Sequence, residues 1–148
     1  MRWVFDDGGR GEAGRKGTTG DCVARALAIA MQRPYAEVYA DLAEGTATQR
    51  ASSRVGKRGR TASRGINTKR KWFRDYMAAR GWRWVATMGI GTGCRVHLRE
   101  GELPKGRIIA SLSRHLVAVI DGVIHDNHDP SRGGDRCVYG YWTREAAR

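Results

Sequence analysis

Residues 111–130 read SLSRHLVAVIDGVIHDNHDP, two short apolar runs on either side of Asp121-Gly122. A two-residue Asp-Gly connection between apolar runs is a strong signal for a type I′ hairpin, because both central residues must take positive φ. The turn fixes the register: Ile120 faces Val123, and paired residue numbers sum to 243. Val117 then opposes Asp126, and His115 opposes His128. Side chains alternate between the two faces of a strand. His115, Val117, Val119, Ile124, Asp126 and His128 are therefore expected on one face, with His125 and Asn127 on the other. Asp126 becomes a diagonal neighbour of His115, within side-chain reach. A carboxylate there accepts the ring N–H, fixes the tautomer and favours the imidazolium. That is the orienting half of a catalytic triad. The plain alternative is a surface histidine and a turn-end aspartate with no coupling.

The rest of the chain surrounds this hairpin with helices first and strands second. Residues 21–32 (DCVARALAIAMQ) carry apolar residues at helical spacing. Residues 34–43 predict a second helix, with Pro34 in its first turn and Gly45 after its end. A third is expected over Thr68–Arg80, stopped by Gly81. Strands are expected near 82–87, 95–98, 107–112, 115–120, 123–126 and 136–142, with a short arm or edge strand at the start of the chain. That order predicts an α+β domain.

The 148 residues suit a single domain over 1–148, with a basic, aperiodic insertion at about 46–68. The opening segment has no apolar stretch of signal-peptide type, and no apolar run approaches the ~18 residues of a membrane span. The expectation is a soluble, cytoplasmic protein with no membrane partner and no cofactor. The net charge of +12 calls for an acidic partner, nucleic acid or an acidic protein. From Arg50 to Arg74 there are 10 basic residues and no acidic one. Arg54, Lys57, Arg58, Arg60, Arg64, Lys69, Arg70 and Lys71 are the candidate nucleic-acid contacts, with Trp72, Tyr76, Trp82 and Trp84 nearby for stacking. The bland reading is a solvated loop beside core aromatics.

Three cysteines, Cys22, Cys94 and Cys137, are an odd count that argues against a disulfide framework and leaves at least one thiol free. Cys22 lies where glycine and small polar residues lead into the first helix, in GTTGDCVARALAIA. Asp21 or Thr19 could cap that helix. In its first turn the helix dipole stabilises a thiolate, and free backbone N–H groups can form an oxyanion hole. A buried structural cysteine beside Ala26 and Ile29 is the competing reading. Ser111 and Ser113 stand too close to His115 to serve as nucleophile. Cys94-x-x-His97 and His125-x-x-His128 have ligand-like spacing, but the hairpin register puts His125 and His128 on opposite faces, so no metal site is expected. The glycine loop MGIGTGC lacks the following helix that phosphate binding needs, and reads as a tight turn lining the cleft.

A helix-start cysteine, a strand-opening histidine and an aspartate ending the next strand, in the order Cys22, His115, Asp126, resemble the papain-like cysteine peptidase fold. Asp21-Cys22 is similar to the start of the bacteriocin-processing peptidase branch, which also uses an aspartate as third member. RHLVAVIDGVIHDNHDPSR looks like small phage-encoded proteins of this type, which would place the protein in the host cytoplasm. The resemblance covers roughly 18–43 and 105–142. It implies N-terminal helices packed on a C-terminal antiparallel sheet, and a hydrolase (peptidase or isopeptidase) acting on a protein or peptide. Cys22, His115 and Asp126 would be its triad and a thioester its intermediate. Papain-like peptidases usually carry a Gln six residues before the cysteine; here that position is Lys16, a cation that could take the oxyanion role. Asp21 and His128 are the expected supporting residues. The alternative is a catalytically inactive papain-like scaffold that binds nucleic acid or an acidic protein through 50–74.

Overall fold

The computed structural model describes residues 1–11, 21–47, 68–89 and 91–144. Three helices, α1 (Cys22–Met31), α2 (Tyr35–Ala47) and α3 (Lys71–Ala79), follow a first strand, β1 (Arg2–Phe5). Seven further strands lie among the described residues: β2 (Trp82–Ala86), β3 (Val96–His97), β4 (Arg107–Leu112), β5 (His115–Ile120), β6 (Val123–Asp126), β7 (Cys137–Val138) and β8 (Gly140–Arg144). The main sheet has the order β1-β6-β5-β4-β8-β2, and β3 pairs with β7 separately. Only β1, on β6, is parallel to its neighbour; the other ladders are antiparallel. The fold is α+β, and no helix among the described residues is long and apolar enough to cross a membrane.

The Asp-Gly turn forms as its chemistry requires. Asp121 and Gly122 both have positive φ, 49° and 79°. Ile120 pairs with Val123, Val119 with Ile124 and Ala118 with His125, which is the expected register. Alternation then divides the core in two. Ile109, Leu116, Ala118 and Trp142 meet α1, α2 and α3 on one face. Ile108, Ala110, Val117, Val119 and Ile124 meet Leu98 and Val138, next to and on the small β3–β7 sheet, on the other. Strand β4 serves both faces, so its run RIIASL is almost continuously apolar.

Helix α1 is buried from Val23 through Ala30, all the way round. A helix apolar on every side is an interior helix. Packing, not capping, holds it: Asp21 occupies the N-cap position without a side-chain cap bond. A cap contributes ~1 kcal/mol, whereas burying a single Leu such as Leu27 contributes roughly 1.5–3 kcal/mol.

Several boundaries differ from the sequence reading. Helix α2 runs through Gly45 and does not end before it. A Cβ at Gly45 would stand 2.3 Å from the Trp72 ring, so the position serves the close seating of Trp72. Helix α3 begins at Lys71, leaving Lys69 and Arg70 ahead of it. The expected strand 136–142 is two, β7 serving β3 and β8 serving β4 and β2. Cys94 and Cys137 form a disulfide, contrary to the expectation from their odd count, because the β3–β7 pairing sets His97 opposite Cys137 and brings Cys94 alongside. Cys22 is the free cysteine.

Candidate active site

The side chains that meet at the open end of the hairpin come from three elements. Cys22 is the first residue of α1, His115 the first of β5 and Asp126 the last of β6. His115 Nε2 lies 2.6 Å from Asp126 Oδ2, and the pair is nearly shut off from solvent, with side-chain exposures of 11% and 4%. Cys22 stands beside this pair, close enough for the His115 ring and the Leu116 backbone to act on its thiol. With Nε2 committed to the carboxylate, the other ring nitrogen, Nδ1, is left for sulfur.

The register accounts for the His115–Asp126 meeting but not for the face it occupies. Regular β5–β6 pairing ends at Ala118 and His125. Val117, Val119 and Ile124 point away from α1. Beyond the last β5–β6 pair, His115 meets Cys22 of α1, and Asp126 meets Arg25 of α1. His115 still pairs with Leu112 and Asp126 with Phe5, but as the terminal residues of β5 and β6 they turn toward α1, so the expectation that all six residues share one face fails at these two.

Electrostatics favour the charged pair. Burial opposes ionisation of Cys22. The hydrogen bond and charge of His115, the Leu116 N–H and the charge of Arg25 outweigh it, and the thiol lies below its ordinary range. Burial likewise disfavours the His115 imidazolium. Its bonds and charge interactions with Asp126 and Cys22 prevail and push it up to about 9. A thiolate beside an imidazolium is the form a cysteine nucleophile needs near neutral pH.

Behind this pair stands a buried ionic chain that the sequence reading missed. Arg25 is 5% exposed. Its Nη1 bonds Asp21 Oδ1, and its Nη2 lies 3.6 Å from Asp126 Oδ1. Asp21 also receives Arg10 Nε at 2.7 Å and the Tyr35 hydroxyl. Burial raises the Asp21 pKa, but Tyr35, Arg25 and Arg10 together draw it below the usual range. Asp126 Oδ1 further accepts the Asn127 N–H at 2.7 Å. The main-chain oxygen of Asp126 takes the Trp3 indole N–H at 3.1 Å and the Asp6 N–H at 2.9 Å. The available signal was Asp21-x-x-x-Arg25, a charged pair one turn apart on an otherwise apolar helix.

The remaining sequence candidates fall as follows. Asp21 does not cap α1 through its side chain; it anchors Arg25. His128 is 56% exposed at its side chain, with its ring centroid 5.1 Å from that of His115. His115, Asp126 and His128 offer donor atoms within 4.8 Å of one another, a two-imidazole, one-carboxylate set able to ligate a divalent transition metal. A metal there would have to displace the His115–Asp126 hydrogen bond. The two ligand-like spacings are broken up: Cys94 is tied to Cys137, His97 pairs with Glu102, and His125 turns to Asp6. Lys69, Arg70 and Lys71 are exposed, and Lys71 pairs with Asp75. Of the aromatics nearby, Trp82 is core and Trp84 is 41% exposed. Lys16, Arg54, Lys57, Arg58, Arg60 and Arg64 lie outside the described residues. No family model matches the chain, and neither the curated proteins nor the solved structures provide a match.

Proposed function

We propose that the protein is a papain-like cysteine hydrolase, a peptidase or isopeptidase, with Cys22 as nucleophile, His115 as acid and base, and Asp126 as the orienting carboxylate. The observation that carries this reading is the convergence of Cys22, first residue of a buried helix, with the His115–Asp126 pair, whose ring nitrogen and carboxylate lie 2.6 Å apart.

The chemistry follows from that arrangement. The Cys22 thiolate attacks the substrate carbonyl carbon, and the C=O pair moves onto oxygen. The first backbone N–H groups of α1 have no partner inside the helix and can donate to that oxyanion. Lys16 is the further candidate for this role. As the tetrahedral adduct collapses, the C–N bond breaks and His115 gives its proton to the departing amine, leaving a thioester on Cys22. His115, now neutral, takes a proton from water, whose oxygen attacks the thioester. The acid departs, and thiolate and imidazolium are restored. Asp126 keeps one tautomer throughout and stabilises the imidazolium.

Alkylation by iodoacetamide tests the first requirement. Cys22 is expected to react several-fold faster near pH 7 than a simple thiol, and replacement of His115 by Ala should abolish the advantage. Cys22→Ala should remove hydrolysis by a factor on the order of 10³ or more while the fold survives. A Cys22 that alkylates like a free thiol, or hydrolysis that survives Cys22→Ala, would sink the reading.

A further inference from the structure

A hydrolase of this kind must seat the chain that flanks the scissile bond, and the sheet offers a cleft on the face that carries Cys22. Leu116 on β5, Ser111 on β4, Gly140 on β8 and Ala86 on β2 stand in cross-strand register. Directly opposed residues share a face. Leu116 belongs to the helix-side core, against which Cys22 also packs. The row therefore crosses the face that carries Cys22. Ser111 is one strand, about 4.8 Å, from Leu116, the residue that follows His115 on β5.

A cleft of about 760 Å³ opens along this row. Ser111, Ala86, Trp84 and Trp142 line it from the sheet, with Met88 and Tyr139 beside them. Trp84, Met88 and Tyr139 are 41%, 38% and 39% exposed, a cluster of large apolar groups left to solvent. The Trp84 ring is held in place. A Cβ on Gly140 would stand 2.2 Å from it, and the Trp142 ring centroid lies 5.3 Å away. The wall is thus a fixed aromatic surface, preorganised for an apolar side chain. Charge sits at the α3 side, where Lys69 and Arg74 line the cleft. No carboxylate lines it among the described residues.

We propose that this cleft is the substrate subsite next to the scissile bond, and that it selects a peptide segment in which a large apolar or aromatic side chain stands beside an Asp or Glu. The inference rests on Cys22 being the nucleophile. The aromatic side chain packs on Trp84 and Met88, and the neighbouring carboxylate meets Arg74. Stacking surfaces with cations also suit single-stranded nucleic acid. The position on the face that carries a thiol suited to carbonyl chemistry favours the peptide.

The test uses the full chain and quenched peptide pools of constant length, in which Phe-Glu, Phe-Lys or Ala-Glu is fixed and the other positions are mixed. Hydrolysis should favour Phe-Glu over Phe-Lys by about tenfold, the size of one charge-assisted bond. It should favour Phe-Glu over Ala-Glu by a similar factor, about tenfold, from apolar burial. Arg74→Glu, at an exposed position, should reverse the Glu over Lys order, and Trp84→Ala should erase the Phe preference. Cleavage without these preferences, or preferences unmoved by both variants, overturns the subsite and leaves the hydrolase reading standing. Binding of the same pools to the Cys22→Ala protein separates the other case. Arg74-dependent binding of Phe-Glu with no cleavage by the unaltered protein supports the recognition and removes the hydrolase. Oligouridylate that binds the Cys22→Ala protein where no peptide pool does assigns the cleft to nucleic acid and overturns the peptide proposal.

Discussion

Two corners of the molecule hold the same three chemical groups, a cysteine sulfur, an imidazole and a carboxylate. At the open end of the β5–β6 hairpin are Cys22, His115 and Asp126; at the β3–β7 corner are Cys94 and Cys137, His97 and Glu102. In the first, the His–carboxylate separation is 2.6 Å, with the two side chains 11% and 4% exposed. In the second it is 3.2 Å, with both more than a quarter exposed. The thiol of the first corner is drawn down by its histidine, whereas the sulfurs of the second are joined to each other. Behind the first carboxylate stands a buried arginine. Behind the second, Arg99 reaches Glu102 from a half-exposed position. Composition is therefore no guide to reactivity here. What differs is the influence of imidazole on sulfur, exclusion of water, and a counter-charge fixed in the interior.

Removing the counter-charge at the heart of the first corner should have the largest effect. Asp126→Asn takes away the group that holds the His115 proton, and turnover should fall by roughly 10³-fold. The pH dependence reads the same change. The folded His115 value, about 9, lies above its ordinary 6.5. Its contribution to stability is therefore complete below 6.5 and disappears as pH rises through about 9. Cys22 has the opposite sign: its depressed value contributes above the ordinary thiol range and is lost as pH falls through the folded value. Titration of the His115 ring by NMR should show its midpoint moving down in Asp126→Asn. An unchanged midpoint would mean that the carboxylate does not hold the proton.

Arg25→Met should be next. It leaves Asp21 and Asp126 buried without their shared cation, and breaking a buried pair from one side costs about 3–5 kcal/mol. Thermal melting measures that loss. A purely structural arginine would change only the melting temperature. As a positioning residue it should also shift the onset of Cys22 alkylation to higher pH, with turnover down roughly tenfold, the equivalent of about one pKa unit.

The smallest effect on chemistry should come from the second corner. Replacing Cys94 and Cys137 together by Ser opens a crosslink of sequence separation 43. The chain-entropy cost is at most about 4 kcal/mol, visible as a lower melting temperature. The alkylation rate of Cys22 should not change. A slower rate would show that the two corners are coupled.

What the sequence disclosed was local. The Asp121-Gly122 turn sets the β5–β6 register by itself, and with it the approach of His115 to Asp126. The helix start at Cys22 follows from the change from small polar to apolar residues. What it concealed depends on distant packing. Nothing near Cys94 or Cys137 announces their pairing, which is made by two strands of two residues each. Gly45 resembles a helix stop until Trp72, from another helix, requires the space. Arg25 looks like a surface residue on an amphipathic helix until α1 proves buried on every side. The face of His115 was misjudged because alternation was carried to the first residue of β5, whose side chain turns to α1 although its backbone pairs with Leu112.

The parallel strand β1 binds the opening residues of the sequence to the carboxylate's own backbone, with Trp3 and Asp126 123 positions apart. Cys22 and His115 are almost as distant. Such a centre closes late, because non-local pairing must wait for the intervening polymer. At a translation rate of about 5–20 residues per second, Cys22 spends several seconds as an unremarkable thiol before its partners are synthesised. The proposed nucleophile thus meets its partners only in the order of assembly, once the hairpin that carries them has been made.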